Sequence, residues 1–124
     1  IIRESDYLTL HVPLTEETKY MIGEKEIGMM KKDAYLIHTA RGKVVDDKAL
    51  VAALKEKRIA GAALDVFEDE PELTEGLTEL DNCVILPHIG SASYDTRDTM
   101  AQLVADNVMD ALEGRTPRTL VPGW

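Results

Sequence analysis

Ala34-Tyr35-Leu36-Ile37-His38-Thr39, a break at Ala40-Arg41-Gly42, a helical pattern through Leu50, Val51 and Leu54, then Ala60-Gly61-Ala62-Ala63-Leu64-Asp65-Val66-Phe67: this succession decides the fold. Both outer runs are nearly continuous in apolar residues, the pattern of strands buried on two faces. Asp46-Asp47 can cap the intervening helix and place negative charge at its start. Lys55, Lys57 and Arg58 suit the dipole at its other end. Strand, helix and strand in that order predict a right-handed parallel crossover.

Working outward, the pattern repeats. Tyr7-Leu8-Thr9-Leu10-His11-Val12 reads as a strand stopped by Pro13, and Cys83-Val84-Ile85-Leu86 as one stopped by Pro87. Ile22, Ile27 and Met30 predict a short helix ending near Lys31-Lys32. A long helix is predicted from Ser93, with Met100, Leu103, Val104, Val108, Ala111 and Leu112 as a core-facing stripe and Gly114 as its stop. The fold class is α/β, with about four parallel strands and helices on both faces.

The chain has 124 residues, 44% hydrophobic and 30% charged, which suits a soluble globular domain. A formal net charge of −9 argues against nucleic-acid or anionic-membrane partners, because both require basic surface. No apolar run approaches the ~20 residues of a membrane helix. With Cys83 as the only cysteine, an intrachain disulfide is excluded and a cytoplasmic setting is expected. The three histidines, His11, His38 and His88, lack metal-ligand spacing, so no metal is expected.

In an open parallel sheet, ligands bind beyond the carboxyl ends of the strands. That rule selects Arg41 after the second strand, Asp65 and Glu70 after the third, and His88 after the fourth. A guanidinium can grip a carboxylate through two parallel hydrogen bonds and polarise a neighbouring carbonyl. A histidine can exchange a proton with the resulting alkoxide, and a carboxylate beside it favours the imidazolium. Such a set suits reduction of a 2-oxo acid, with the hydride supplied by a cofactor. Taken singly, each residue has a plainer reading. Arg41-Gly42 can be a turn, Glu68-Asp69-Glu70 a solvated acidic loop, and His88 or Asp65 a loop contact. His11 and His38 are assigned to packing or backbone contacts.

The wording around these positions resembles one family. His38-Thr39-Ala40-Arg41-Gly42-Lys43-Val44-Val45-Asp46 with Ala49-Leu50, Gly61–Pro71, and Pro87-His88-Ile89-Gly90-Ser91-Ala92 resemble the arginine, glutamate and histidine segments of D-2-hydroxyacid dehydrogenases. His11-Val12-Pro13-Leu14-Thr15 resembles the loop on the adenosine side of the cofactor. Within that family the wording is closest to glyoxylate/hydroxypyruvate reductases.

The resemblance implies an oxidoreductase that moves a hydride between NAD or NADP and a small 2-oxo or D-2-hydroxy acid. Arg41, Glu70 and His88 would be catalytic. Val12, Pro13, Thr39, Ala40, Arg41, Asp65, His88, Ile89, Gly90 and Ser91 would contact the cofactor, Asp65 at the nicotinamide carboxamide. It also implies half of a doubly wound Rossmann-type sheet. Residues 1–114 would form the C-terminal half of the dinucleotide-binding domain, and 115–124, with Arg115, Pro117, Arg118 and Pro122, a tail leading back toward a substrate domain. A homodimer is the implied assembly. Two departures bear on substrate preference: His38 stands where asparagine is common, and Leu86 where threonine often precedes the Pro-His pair. The alternatives are a binding protein, like the dinucleotide-sensing corepressor of the same fold, and an inactive fragment.

Overall fold

The computed structural model describes residues 1–121, so Pro122 at the end of the expected tail lies outside the described residues. Four strands, β1 (Tyr7–Leu10), β2 (Tyr35–His38), β3 (Gly61–Leu64) and β4 (Cys83–Ile85), pair in parallel in the order β1-β2-β3-β4. Each strand is shorter than its apolar run. Val12, Thr39, Asp65 and Leu86 therefore belong to the loops that leave the strands rather than to the sheet.

Register explains the core. Leu8, Leu36, Ala62 and Cys83 are cross-strand neighbours, as are Leu10, His38, Leu64 and Ile85. The apolar residues of these two rows join Ile22, Ile27, Met30, Val44, Leu50, Leu54 and Leu77 in one cluster. The alternate residues differ from the two-sided burial expected of them. Tyr7, Tyr35 and Val84 are exposed, and the Tyr7 and Tyr35 rings stack on that face with centroids 5.6 Å apart.

Helix α1 (Glu24–Ile27) is a single turn, shorter than expected, between Gly23 and Gly28. Ile22 lies outside it, bridging Val45 in parallel. Helix α2 (Asp47–Lys55) follows the sequence reading, with the Asp46 Oδ1 accepting the Ala49 N–H at 3.0 Å. Leu50, Ala53 and Leu54 bury its inner face almost completely. Truncating such a leucine to alanine costs about 2–5 kcal/mol.

The chain forms two compact units, dividing after Gly90. In the second, α3 (Tyr94–Leu112) starts at Ser93, whose Oγ accepts the Thr96 N–H, and ends before Gly114 at φ +73°. The apolar stripe assigned to the core is not core: Met100, Leu103, Val104, Val108 and Leu112 are exposed. One helix and a short tail carry too little apolar surface to cover such a stripe themselves. Asp110 is the buried residue of this helix, and its two carboxylate oxygens take Arg115 at 2.6 Å and Arg118 at 3.1 Å. These bonds fold the tail back against the last turns of α3.

Candidate active site

Arg41, Asp65, Glu70 and His88 all follow the carboxyl ends of β2, β3 and β4 in the first unit. The central contact is between His88 and Glu70, with Nδ1 2.7 Å from Oε2. A carboxylate only accepts, so Nδ1 carries a hydrogen and Nε2 is left to face a reacting oxygen. Burial alone would raise the Glu70 carboxyl. Hydrogen bonds from His88 and the Phe67 N–H, with the charges of His88 and Arg41, outweigh it and hold the group below its ordinary value. A cavity of about 380 Å³ opens beside the pair, lined by Phe67, Pro71, Leu73, Ile85 and Pro87.

The acidic run Glu68-Asp69-Glu70 is not a free solvated loop. Tyr20 donates its hydroxyl to Glu68, which pushes the phenol up to about 12, and Lys43 pairs with Asp69 at 3.1 Å. Underneath, the fully buried Asp47 accepts the Glu68 N–H at 3.0 Å and the Thr74 hydroxyl at 3.2 Å through the same oxygen. Glu70 is thus delivered by a loop held at each residue. Sequence reasoning missed Asp47, Tyr20 and Lys43 as supports. The Asp46-Asp47 doublet was a signal, since one aspartate suffices to cap a helix.

Asp65 is buried, and its oxygens accept the N–H groups of Ile89 at 2.8 Å and Gly90 at 2.9 Å. Those amides follow His88, whose backbone sits at φ +54°. A non-glycine residue in that left-handed region costs about 1–3 kcal/mol and persists only where neighbours enforce it. Asp65 does so from beneath the loop. In this structure its carboxylate is turned to the histidine loop.

Arg41 is exposed, donating Nη1–H to the Ala40 carbonyl at 2.7 Å. Gly42 beside it cannot carry a side chain, because a Cβ there would stand 1.7 Å from the Phe67 carbonyl oxygen. Val12, Pro13, Thr39, Ala40 and Arg41 share an open groove of about 700 Å³ with His11 and Leu14. The expected adenosine-side residues Val12 and Pro13 thus share one groove with Thr39, Ala40 and Arg41 from the end of β2. Ser91 opens the second unit, so the site is described on Ile1–Gly90. His11 bonds Thr9 through Nε2 at 2.8 Å, a local contact. Among the described residues, no group of three or more His, Cys, Asp or Glu is placed to hold a metal ion.

Residues 1–90 match the profile of the D-isomer specific 2-hydroxyacid dehydrogenase, NAD binding domain. This chain belongs to that family. Among family members, the glyoxylate reductase of Thermococcus litoralis is 55% identical over 121 residues, covering 98% of this chain and 37% of the relative. That of Pyrococcus horikoshii is 57% identical over the same length, covering 36% of the relative. The chain thus spans little more than a third of the curated relatives it matches. Of solved structures, the NADPH-dependent glyoxylate/hydroxypyruvate reductase of Sinorhizobium meliloti, in complex with NADP and malonate, superimposes with a TM-score of 0.93 at 38% identity, covering 98% of this chain and 38% of that one. The NAD-complexed D-isomer specific 2-hydroxyacid dehydrogenase of Lactobacillus delbrueckii ssp. bulgaricus gives 0.83 at 36% identity, covering 97% and 40%. These dehydrogenases share the α/β fold expected here.

Proposed function

We propose that this chain supplies the acid/base and substrate-gripping residues of an NAD(P)-dependent reductase of small 2-oxo acids, of the glyoxylate or hydroxypyruvate type. The observation that carries the reading is the His88–Glu70 pair, 2.7 Å apart, on the edge that also presents Arg41. The names of the relatives support the enzyme over a corepressor-like binding protein.

A nicotinamide held at this strand edge would supply the hydride. Arg41 grips the substrate carboxylate and polarises the adjacent carbonyl. His88 Nε2 donates a proton to the carbonyl oxygen as hydride arrives at carbon, which leaves a neutral 2-hydroxy acid carbinol and a neutral ring. Glu70 holds the ring through Nδ1, which leaves Nε2 facing the substrate oxygen. Val12 and Pro13 would line the adenosine side of NAD or NADP, and Thr39, Ala40 and Arg41, which share their groove, would follow the cofactor from the end of β2. Asp65 holds the Ile89 and Gly90 amides beside His88, and Ile89, Gly90 and Ser91 would continue from there along the cofactor.

Residues 1–114 are assigned to the dinucleotide-binding domain and 115–124 to a connecting tail. A homodimer is proposed on the resemblance to the family. Sedimentation of the full-length protein at micromolar concentration tests it. A cytoplasmic location is supported by a free Cys83, its thiol pushed up to about 11 chiefly by burial, and cell fractionation tests it. For the activity, full-length protein is mixed with NADH or NADPH and glyoxylate or hydroxypyruvate, and absorbance of the reduced cofactor is followed. Absence of turnover with all four pairings would defeat the proposal.

A further inference from the structure

His38 closes β2, is fully buried, and takes no part in the proton pathway above. Its backbone carbonyl accepts the Asp65 N–H at 2.9 Å. Its ring Nε2 lies 3.3 Å from the Gly42 carbonyl oxygen. A carbonyl oxygen only accepts, so Nε2 donates and carries the single ring hydrogen. Nδ1 is then a bare acceptor, and it has no hydrogen-bond partner among the described residues. Burial disfavours the charged ring and lowers its pKa, so this neutral tautomer is the one the site selects.

The Gly42 carbonyl is the hinge that this bond holds. It also receives the Val45 N–H at 3.1 Å, while the Arg41 carbonyl receives the Val44 N–H at 2.9 Å, which forms the 3-10 turn Gly42–Val44. On its other side, Gly42 is pressed so closely on the Phe67 backbone that no Cβ fits. Gly42, the residue following Arg41, is therefore clamped between an imidazole at its carbonyl and a neighbouring stretch of backbone at its Cα. A buried apolar side chain at position 38 would fill the same space without the desolvation cost, but it would leave one of those two clamps open.

We propose that His38 is a positioning residue for Arg41, its Nε2–H on the Gly42 carbonyl fixing the direction in which the guanidinium meets the substrate carboxylate. The inference rests on the reading that Arg41 binds that carboxylate.

The test compares three full-length proteins: wild type, His38→Leu and His38→Gln. Leucine keeps approximate volume and removes the donor, whereas glutamine places an N–H near the position of Nε2. Loss of one such bond is worth up to about tenfold. KM for glyoxylate is expected to rise about tenfold in His38→Leu with kcat changed less than about threefold, and to return to within about threefold of wild type in His38→Gln. Unchanged KM in His38→Leu, or equal losses in both variants tracking a lower Tm, would overturn it. Nitrogen-15 NMR of the wild-type imidazole supplies a readout independent of turnover: protonation on Nε2 is expected, and an Nδ1–H tautomer refutes the proposal. If the wild type reduces no 2-oxo acid, or Arg41→Ala leaves KM unchanged, the functional reading fails instead, and the tautomer still decides whether His38 holds the turn.

Discussion

The carboxylate of Asp65, at the end of β3, holds the Gly90 N–H at 2.9 Å while its other oxygen takes the Ile89 N–H at 2.8 Å. Both amides follow His88, so an acid from one strand end sets the backbone that aims a base from the next. Asparagine at 65 keeps the shape but turns an N–H donor toward one of the two amides. We expect Asp65→Asn to lower kcat about tenfold or more, because small misplacements of a reacting group are costly. KM for the reduced cofactor should change less. Steady-state kinetics with the cofactor varied decides the matter: a dominant rise in cofactor KM would assign Asp65 to the nicotinamide instead.

His88 and Glu70 act as a unit. His88→Ala is expected to lower kcat by about 10²–10⁴, the usual worth of a positioned acid/base. Near-wild-type rates in that variant would remove the role. Because the Glu70 carboxyl lies below its ordinary value in the folded chain, its contribution to stability is present above the unfolded value and lost as pH falls through the folded one. Thermal melts below pH 5 should therefore show a smaller acid loss in Glu70→Gln than in wild type.

Arg41 and Gly42 separate chemistry from fit. Arg41→Lys retains the charge but not the two-pronged geometry, so KM for the 2-oxo acid should rise about tenfold or more while the fold is retained. Gly42→Ala is different in kind. With its Cβ 1.7 Å from the Phe67 oxygen, the two backbones must separate, and destabilisation above about 4 kcal/mol is expected. Urea unfolding of Gly42→Ala with a midpoint near wild type would show that the approach is relaxed more easily than its geometry implies.

The strands were legible because four apolar runs end at prolines or turns, and the strand-end rule then selected Arg41, Asp65, Glu70 and His88 with no structure in hand. The supports were less visible. Glu68 and Asp69 read as solvated because their partners, Tyr20 and Lys43, lie far away in sequence. Periodicity predicted a longer α1, yet glycines at both ends leave only one turn. The α3 stripe has the right spacing for burial, but spacing names a face and not the surface that covers it. Of the packing or backbone contacts expected of His38, the structure shows a backbone bond, and which carbonyl it holds depends on a turn that the sequence does not specify.

That buried imidazole also gives a pH signature. Burial lowers its folded-state pKa, and the neighbouring Gly42 and Arg41 carbonyls only partly oppose this. As pH falls through the unfolded histidine value of about 6.5, the unfolded chain takes up the proton before the folded one. Stability is therefore full above that value, declines below it by at most about 1.4 kcal/mol per pH unit, and levels off beneath the folded pKa. Asp47 works with the opposite sign: burial raises its carboxyl, so its contribution is lost as pH rises through its folded value. A difference between wild type and a His38 variant cancels that term. Urea unfolding of wild type and His38→Gln between pH 8 and 5 should give a stability gap that shifts in favour of the variant as the solution is acidified. A gap independent of pH would mean that the ring takes up its proton equally well in both states, and the buried neutral tautomer would have to be abandoned.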